Sequence, residues 1–104
     1  RVYTTEIAHY CARAGEDVPR LSIGDPRSRW GSCSSRGTIS LSWRLIMAPA
    51  HVRRSVIAHE VAHIRHMDHS RNFYDWLDTI YEGDRKAADR WLKMHGTGLQ
   101  RVGR

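Results

Sequence analysis

The chain has 104 residues, enough for one modest hydrophobic core but not for two. Hydrophobic residues make up 40% and charged residues 27%, the balance of a globular domain, and no apolar run is long enough to cross a membrane. The formal charge of +6 suits anionic partners such as nucleic acid or nucleotides, although scattered arginines can also reflect genomic base composition.

The N-terminal half is predicted to form a helix followed by a small antiparallel sheet. Residues 4–15, TTEIAHYCARAG, place apolar side chains at helical spacing and end on a glycine. Residues 20–25, RLSIGD, alternate apolar and polar side chains, which predicts a short strand. Residues 29–43, RWGSCSSRGTISLSW, predict a hairpin that turns at residues 35–37.

Three helices are predicted in the C-terminal half. The first begins at Pro49 and runs to about Met67. Ser70 can cap the second and Asp84 the third, and Gly96 is expected to end the third and leave the tail TGLQRVGR frayed. A helix, a small antiparallel sheet or hairpin, and further helices packed on it make an α+β domain.

Four of the seven histidines lie within HEVAHIRHMDHS at residues 59–70, at the end of the helix that begins at Pro49 and just beyond it. His59 and His63 are separated by four residues, so their imidazoles lie on one helix face and can bind one metal ion. Glu60 lies about 100° round the helix axis from His59, where it can accept a proton from water without occupying the metal. The H-E-x-x-H motif alone is also compatible with a hydrogen-bonded pair of core histidines.

A catalytic zinc site needs a third protein ligand, and His66 and His69 are the candidates. His66 lies about 4.5 Å beyond His63 along the helix axis, on the side away from His59. We expect the chain to leave the helix near Met67 and turn, so that His69 returns over the metal at the spacing of H-E-x-x-H-x-x-G-x-x-H. His66 occupies the glycine position of that motif, so the turn must come later or differ in form. The predicted ligands of one Zn²⁺ ion, which Ni²⁺ or Co²⁺ can replace, are therefore His59, His63 and His69.

Two segments together, SRWGSCSSRGTISLSWRLIMAP and HEVAHIRHMDHSRNFYDWL, closely resemble the YgjP-like metallopeptidase domain, a W-G-S-C-S family related to SprT-like zinc proteins. The resemblance runs from about Leu21 to Gly96 and departs at Asp68, where the family commonly has Asn. It implies that the three histidines bind zinc and that Glu60 is the general base. It also implies a small gluzincin-like fold in which a strand borders the active-site cleft.

Three further residues are candidates for substrate binding, and two of them have a structural alternative. Trp30 can line a substrate groove or fill the core, as large aromatic side chains in small domains usually do. Arg44 can contact an anionic substrate or a developing oxyanion, or it can form a structural ion pair. Tyr74 is a candidate oxyanion donor. Cys33 has no base placed beside it in the sequence and is expected to be a buried small residue.

These observations predict a zinc-dependent metallopeptidase-type hydrolase with Glu60 as general base. The expected substrate is a peptide or protein, which an edge strand of the sheet can hold by β-augmentation. One alternative is a nucleoside triphosphate pyrophosphatase at the same metal site, since UTP hydrolysis has been associated with the YgjP-like group. Another is a non-catalytic, zinc-stabilised nucleic-acid-binding module, in which His66 would close the site as fourth ligand.

The rest of the sequence bears on domain organisation and location. Cys11 and Cys33 are too few for a disulfide framework, which is typical of a cytoplasmic protein. The opening RVYTTEIAHY has no signal-peptide pattern. We expect one YgjP-like domain over residues 1–104, the C-terminal part of a longer cytoplasmic protein without a membrane partner.

Overall fold

The computed structural model describes residues 1–103, and its secondary structure agrees with the predicted α+β class. In chain order the elements are α1 (Val2–Ala14), β1 (Arg20–Gly24), β2 (Gly31–Cys33), β3 (Thr38–Ser42), a 3₁₀ helix (Trp43–Met47), α2 (Ala50–Arg65), α3 (Arg71–Ile80) and α4 (Arg85–Arg101). Among residues 1–103, no helix combines the length and the apolar character needed to span a bilayer.

Helix α1 packs its apolar face against α2 and ends where the sequence predicts. Gly15 has a φ of 70°, a left-handed conformation that glycine adopts without steric cost, and its N–H donates to the carbonyl of Ala12. Glu6 on the buried face accepts hydrogen bonds from Arg53 at 2.7 and 2.9 Å and from Arg54 at 2.9 Å. Ion pairs therefore join α1 to α2 beside the hydrophobic core.

The three strands form a mixed sheet with the order β1-β3-β2. The predicted hairpin is present, because β2 and β3 pair antiparallel and Gly31 lies opposite Leu41. Strand β1, however, pairs parallel with β3, with Leu21 opposite Ile39. The expectation of a wholly antiparallel sheet was wrong for β1. The chain reverses direction before β2 and again before β3, so β3 lies beside β1 and runs in the same direction.

The hydrophobic core lies between the sheet and the helices, with α2 at its centre. Ile39 and Leu41 of β3 are buried, and so are Ile57 and Val61 of α2. Phe73, Leu77 and Ile80 give α3 one buried face at the predicted spacing. Helix α2 thus has a broad buried surface, and the metal-ligand candidates lie near its C-terminal end.

The predicted end of α4 was wrong. Gly96 is buried inside the helix, where a Cβ atom would lie 3.3 Å from Cζ2 of Trp30, so the glycine admits the indole instead of ending the helix. The helix continues to Arg101, and Leu99 packs against the core. Arg44 donates to the carbonyl oxygens of Leu99 and Val102, so the end of α4 is tied to the 3₁₀ helix that follows β3.

Candidate metal centre

Three imidazoles converge at the end of α2, and they are the three that the sequence predicts. The Nε2 atom of His63 lies 3.1 Å from that of His59 and 3.1 Å from that of His69, and the third side of the triangle is 3.2 Å. His59 and His63 are presented by α2, whereas His69 comes from the connection to α3. Within residues 1–103, this is the cluster of three or more ligand-type side chains able to hold a metal ion.

The geometry fits a tetrahedral metal ion. Nitrogen ligands about 2.0–2.1 Å from a tetrahedral zinc lie about 3.3–3.4 Å apart, slightly more than the distances in this triangle. Hydrogen bonds between the rings cannot account for all three short distances. The Nε2 atom of a neutral imidazole carries either one proton or one lone pair, so at least two of the three atoms have the same character and cannot bond to each other. A cation bound on one side of the triangle would accept all three lone pairs.

Contacts behind the triangle orient His63. Its Nδ1 lies 2.9 Å from the carbonyl oxygen of His66, and since a carbonyl only accepts, Nδ1 carries the proton and Nε2 keeps its lone pair. The ring of Phe73 stacks on that of His63, with centroids 4.3 Å apart and an interplanar angle of 22°. Phe73 also meets His59 edge-on, at 4.9 Å.

The turn that brings His69 back begins earlier than predicted. Helix α2 ends at Arg65, and His66 adopts an extended conformation with φ −127° and ψ 105°, which needs no glycine. The backbone N–H of Ser70 then donates to Asp68 at 3.4 Å, and the Ser70 hydroxyl accepts from the N–H of Phe73 to cap α3. The turn therefore differs in form from a glycine turn, and the ring of His66 stays outside the cluster.

Burial favours the neutral, metal-binding form of the α2 histidines. Burial, together with smaller contributions from the charges of His63, His69 and Arg85, lowers the pKa of His59 to about 4. Burial also lowers the pKa of His63, although its hydrogen bond to the carbonyl of His66 acts in the opposite direction. Both imidazoles are therefore available as ligands at neutral pH.

Glu60 lies beside the triangle, and its side chain is almost enclosed. The residue is 5% exposed, and burial raises the pKa of its carboxyl group to about 7, an effect that the charge of Arg29 partly offsets. No side chain or backbone group within residues 1–103 donates a hydrogen bond to it. Gly31 of β2 is close enough that a Cβ there would lie 3.2 Å from Oε2 of Glu60.

Two clefts meet at the metal centre, and His59 and Glu60 line both of them. The first, which we call the β2-side cleft, includes Gly31 and Cys33 and the other two histidines of the triangle. The second, the α3–α4-side cleft, has a volume of about 290 Å³ and includes Tyr74 and Arg85. A molecule bound across the shared wall would contact the histidines and the carboxylate together.

The three candidates for substrate binding have different surroundings. Tyr74 lines the α3–α4-side cleft, and its ring stacks on that of His69 with centroids 6.2 Å apart. Trp30 packs against α4, as the core alternative expected. Arg44 is buried, pairs with Asp25 at 2.8 Å and lines neither cleft, which matches its structural alternative.

Two residues that the sequence did not predict to be part of the site, Cys33 and Arg85, line its clefts. Cys33 is only partly buried and lines the β2-side cleft, where burial and the charge of Glu60 raise the pKa of its thiol to about 11. Arg85, which lines the other cleft, was not singled out by sequence reasoning. The sequence marks it only as the residue after the Asp84 cap, so the tertiary fold had to reveal its position.

Comparisons with known proteins show the family and the fold of the chain. The YgjP-like metallopeptidase domain model matches residues 1–95, which confirms the resemblance carried by the W-G-S-C-S and H-E-x-x-H segments. Among solved structures, the crystal structure of the metallopeptidase zymogen of Pyrococcus abyssi abylysin is similar with a TM-score of 0.77. The two chains are 21% identical, and the match covers 88% of this chain and 93% of that one, so the likeness shows the fold. No curated protein matches the chain.

Proposed function

The chain belongs to the YgjP-like metallopeptidase domain family, and from that premise we propose that it is a zinc-dependent peptidase with Glu60 as its general base. The observation that carries the proposal is the triangle of Nε2 atoms 3.1–3.2 Å apart, with the Glu60 carboxylate beside it and two clefts meeting there. Family membership supports a hydrolase of the metallopeptidase type, while the metal identity and the role of Glu60 are parts of the proposal.

His59, His63 and His69 would hold the metal. Zinc bound there supplies Lewis acidity, which polarises a peptide carbonyl and makes water more nucleophilic at neutral pH. Glu60 accepts the proton from the attacking water and passes it to the leaving amine. Burial raises the pKa of Glu60, while the positive charge of a bound metal ion would lower it, so the two effects oppose each other at a carboxyl group that must gain and then lose a proton.

The position of β2 supports an extended peptide as substrate. Strand β2 is at the edge of the sheet, since β3 lies between it and β1, and its residues line the cleft beside Glu60. An edge strand offers unpaired N–H and C=O groups that a peptide backbone can pair with. We propose that the substrate chain lies along β2 and presents a carbonyl to the metal centre.

The ligand set favours an enzyme over a closed structural zinc site. Structural zinc is bound by four protein ligands, whereas a catalytic site keeps one position for water or substrate. In residues 1–103 the cluster contains three histidines, and His66 takes part through its backbone carbonyl instead of its ring. This arrangement supports the peptidase proposal over the zinc-stabilised nucleic-acid-binding module.

The proposal is tested with metal analysis and a substrate panel. Untagged protein should contain about one zinc per chain and should cleave peptides from a mixed library, and chelation should abolish cleavage. The Glu60→Gln protein should keep the metal and the wild-type Tm yet cleave about 10²- to 10⁴-fold more slowly. Glu16→Gln, which removes a carboxylate paired with Arg65 away from the site, is the matched control.

Cleavage of UTP in the same panel, with no cleavage of any peptide, would replace the peptidase proposal with the pyrophosphatase alternative. A Glu60→Gln protein that remains fully active would refute the general-base role. Loss of metal from that variant would instead make Glu60 part of the metal-binding set.

A further inference from the structure

One guanidinium group is held rigidly in the α3–α4-side cleft. Nε of Arg85 donates to Oδ1 of Asp78 at 2.7 Å and Nη2 to Oδ2 at 3.3 Å, a two-point pairing. The guanidinium carbon also lies 4.6 Å from the ring centroid of Tyr74. The side chain is 21% exposed, so both its position and its orientation are fixed before any ligand binds.

This pairing differs from an ordinary surface ion pair. Arg71 and Asp75, one turn apart on α3, are 3.8 Å from each other and their side chains are 93% and 70% exposed, which is typical of a weak pair in solvent. Arg85 instead lines a cleft together with His59 and Glu60. Two hydrogen bonds to Asp78 and the contact with the Tyr74 ring restrain Arg85 more tightly than the single long contact restrains Arg71.

The guanidinium keeps one donor group free. Within residues 1–103, no acceptor takes a hydrogen bond from Nη1 of Arg85, and Asp89, which lines the same cleft, does not come within ion-pair distance of it. The walls beside it include Leu77 and Leu92, and apolar walls of this kind strengthen a hydrogen bond to a charged group. A fixed, partly enclosed donor of this kind is suited to bind an oxygen atom of a ligand.

We propose that Arg85 is a substrate-binding residue that donates from Nη1 to a carbonyl or terminal carboxylate oxygen of the bound peptide. The inference rests on the proposed peptidase function. Because His59 and Glu60 line both clefts, the reacting bond would lie at their junction, with peptide extending to either side. Strand β2 binds the part on one side by backbone pairing, and Arg85 binds the part on the other.

The test compares Arg85→Met and Arg85→Lys with the control Arg71→Met, using a peptide that the wild-type protein cleaves. Arg85→Met should raise KM about 10- to 100-fold, the usual effect of losing one charged hydrogen bond, and change kcat far less. The KM of Arg85→Lys should lie between those of the wild type and Arg85→Met, because a single ammonium group cannot pair with Asp78 at two points and also donate to the substrate. Zinc content and Tm should match those of Arg71→Met.

A binding measurement separates this inference from the activity itself. In the Glu60→Gln background, adding Arg85→Met should raise the Kd of the same peptide by the same factor by which Arg85→Met raises KM. Peptides with a free C-terminus and with an amidated one distinguish the two oxygen sources: a loss confined to the free acid identifies a terminal carboxylate, and an equal loss identifies a backbone carbonyl.

The inference is overturned if Arg85→Met leaves both KM and Kd within twofold of the wild type while peptide cleavage continues. It is also overturned if Arg85→Met and Arg85→Lys lose zinc or stability to the same extent as they lose activity, since Arg85 would then be structural. A wild-type protein that binds zinc but neither binds nor cleaves any peptide would instead refute the proposed function, and this inference with it.

Discussion

The Nδ1 atom of His63 donates to the backbone carbonyl of His66, 2.9 Å away, and this contact links the end of α2 to the metal centre. His66 is the residue at which the helix stops, and its extended backbone turns the carbonyl toward the ring one turn earlier. The same residue therefore fixes the orientation of one proposed ligand, His63, and starts the turn that brings the other, His69, to the cluster. Both roles belong to its backbone.

The first prediction follows from that division between backbone and ring. His66→Ala should keep its zinc, with an affinity within about tenfold of wild type, because the carbonyl that orients His63 remains. The zinc affinity of His69→Ala should fall by more than about 100-fold, the upper end of what removing a hydrogen-bond partner of a ligand costs, because this change removes a proposed ligand itself. Zinc affinity measured by competition with a chelator distinguishes the two. The reverse order of affinities would make His66 the third ligand.

The second prediction concerns the close approach of β2 to Glu60. A Cβ on Gly31 would lie 3.1 Å from Cγ of Glu60 and 3.1 Å from Cδ2 of Leu41. Gly31→Ala should therefore lower the free energy of unfolding by about 1–3 kcal/mol, as overpacking usually does, and should also reduce peptide cleavage by displacing Glu60. Gly24→Ala on β1, with open space at its Cβ position, is the control and should do neither.

The third prediction uses two glycines of the same helix. Gly98→Ala in α4 places its methyl group in open space and should raise the free energy of unfolding by about 0.5–1 kcal/mol, the difference in helix propensity. Gly96→Ala gains the same propensity but presses on the indole of Trp30. Denaturant unfolding should show a smaller gain or a loss at position 96. Equal gains at both positions would mean that Trp30 does not pack on α4 as described.

The fourth prediction concerns acid stability. Burial by itself raises the pKa of Glu6, but the hydrogen bonds and charges of Arg53 and Arg54 outweigh it and lower that pKa below its ordinary value of 4.5. A carboxyl group with a lowered pKa in the folded state stabilises the fold fully above its unfolded pKa, and this stabilisation is lost as the pH falls through the folded pKa.

Glu6→Gln should therefore lower the free energy of unfolding by about 1–3 kcal/mol at pH 7. The difference in this free energy between Glu6→Gln and the wild type should shrink as the pH falls below 4.5. Urea unfolding at a series of pH values measures this. Glu16→Gln, which removes the longer 3.5 Å pair with Arg65, is the control for loss of a carboxylate. A constant difference down to pH 3 would show that Glu6 does not titrate with the fold.

The clustering of the three histidines could be predicted because most of the cluster is local in sequence. His59 and His63 lie on one helix face by their spacing alone, and His69 follows within one short turn. The form of that turn could not be predicted, since any residue can adopt the extended conformation that His66 takes and no glycine or proline marks it.

The parts that escaped prediction depend on contacts between distant residues. Gly96 is typical of a helix end by local rules, but the Trp30 indole, 66 positions earlier in the chain, occupies the space that the missing side chain leaves. Arg85 carries no motif, and only the packing of α3 and α4 against α2 places it in a cleft with Glu60. Parallel pairing of β1 with β3 likewise has no local sequence signal.

Arg44 has a consequence for the order in which the chain can fold. Its buried guanidinium donates hydrogen bonds to the Asp25 carboxylate and to the backbone carbonyls of Leu99 and Val102, and Asp25 is far from the other two in sequence. A nascent chain leaving the ribosome can form α1, the sheet and the H-E-x-x-H helix while, of these three hydrogen-bond acceptors, only Asp25 is available to Arg44. Its set of hydrogen bonds is completed only when residue 102 has emerged, so the domain should close after synthesis of α4 and gain protease resistance at that step.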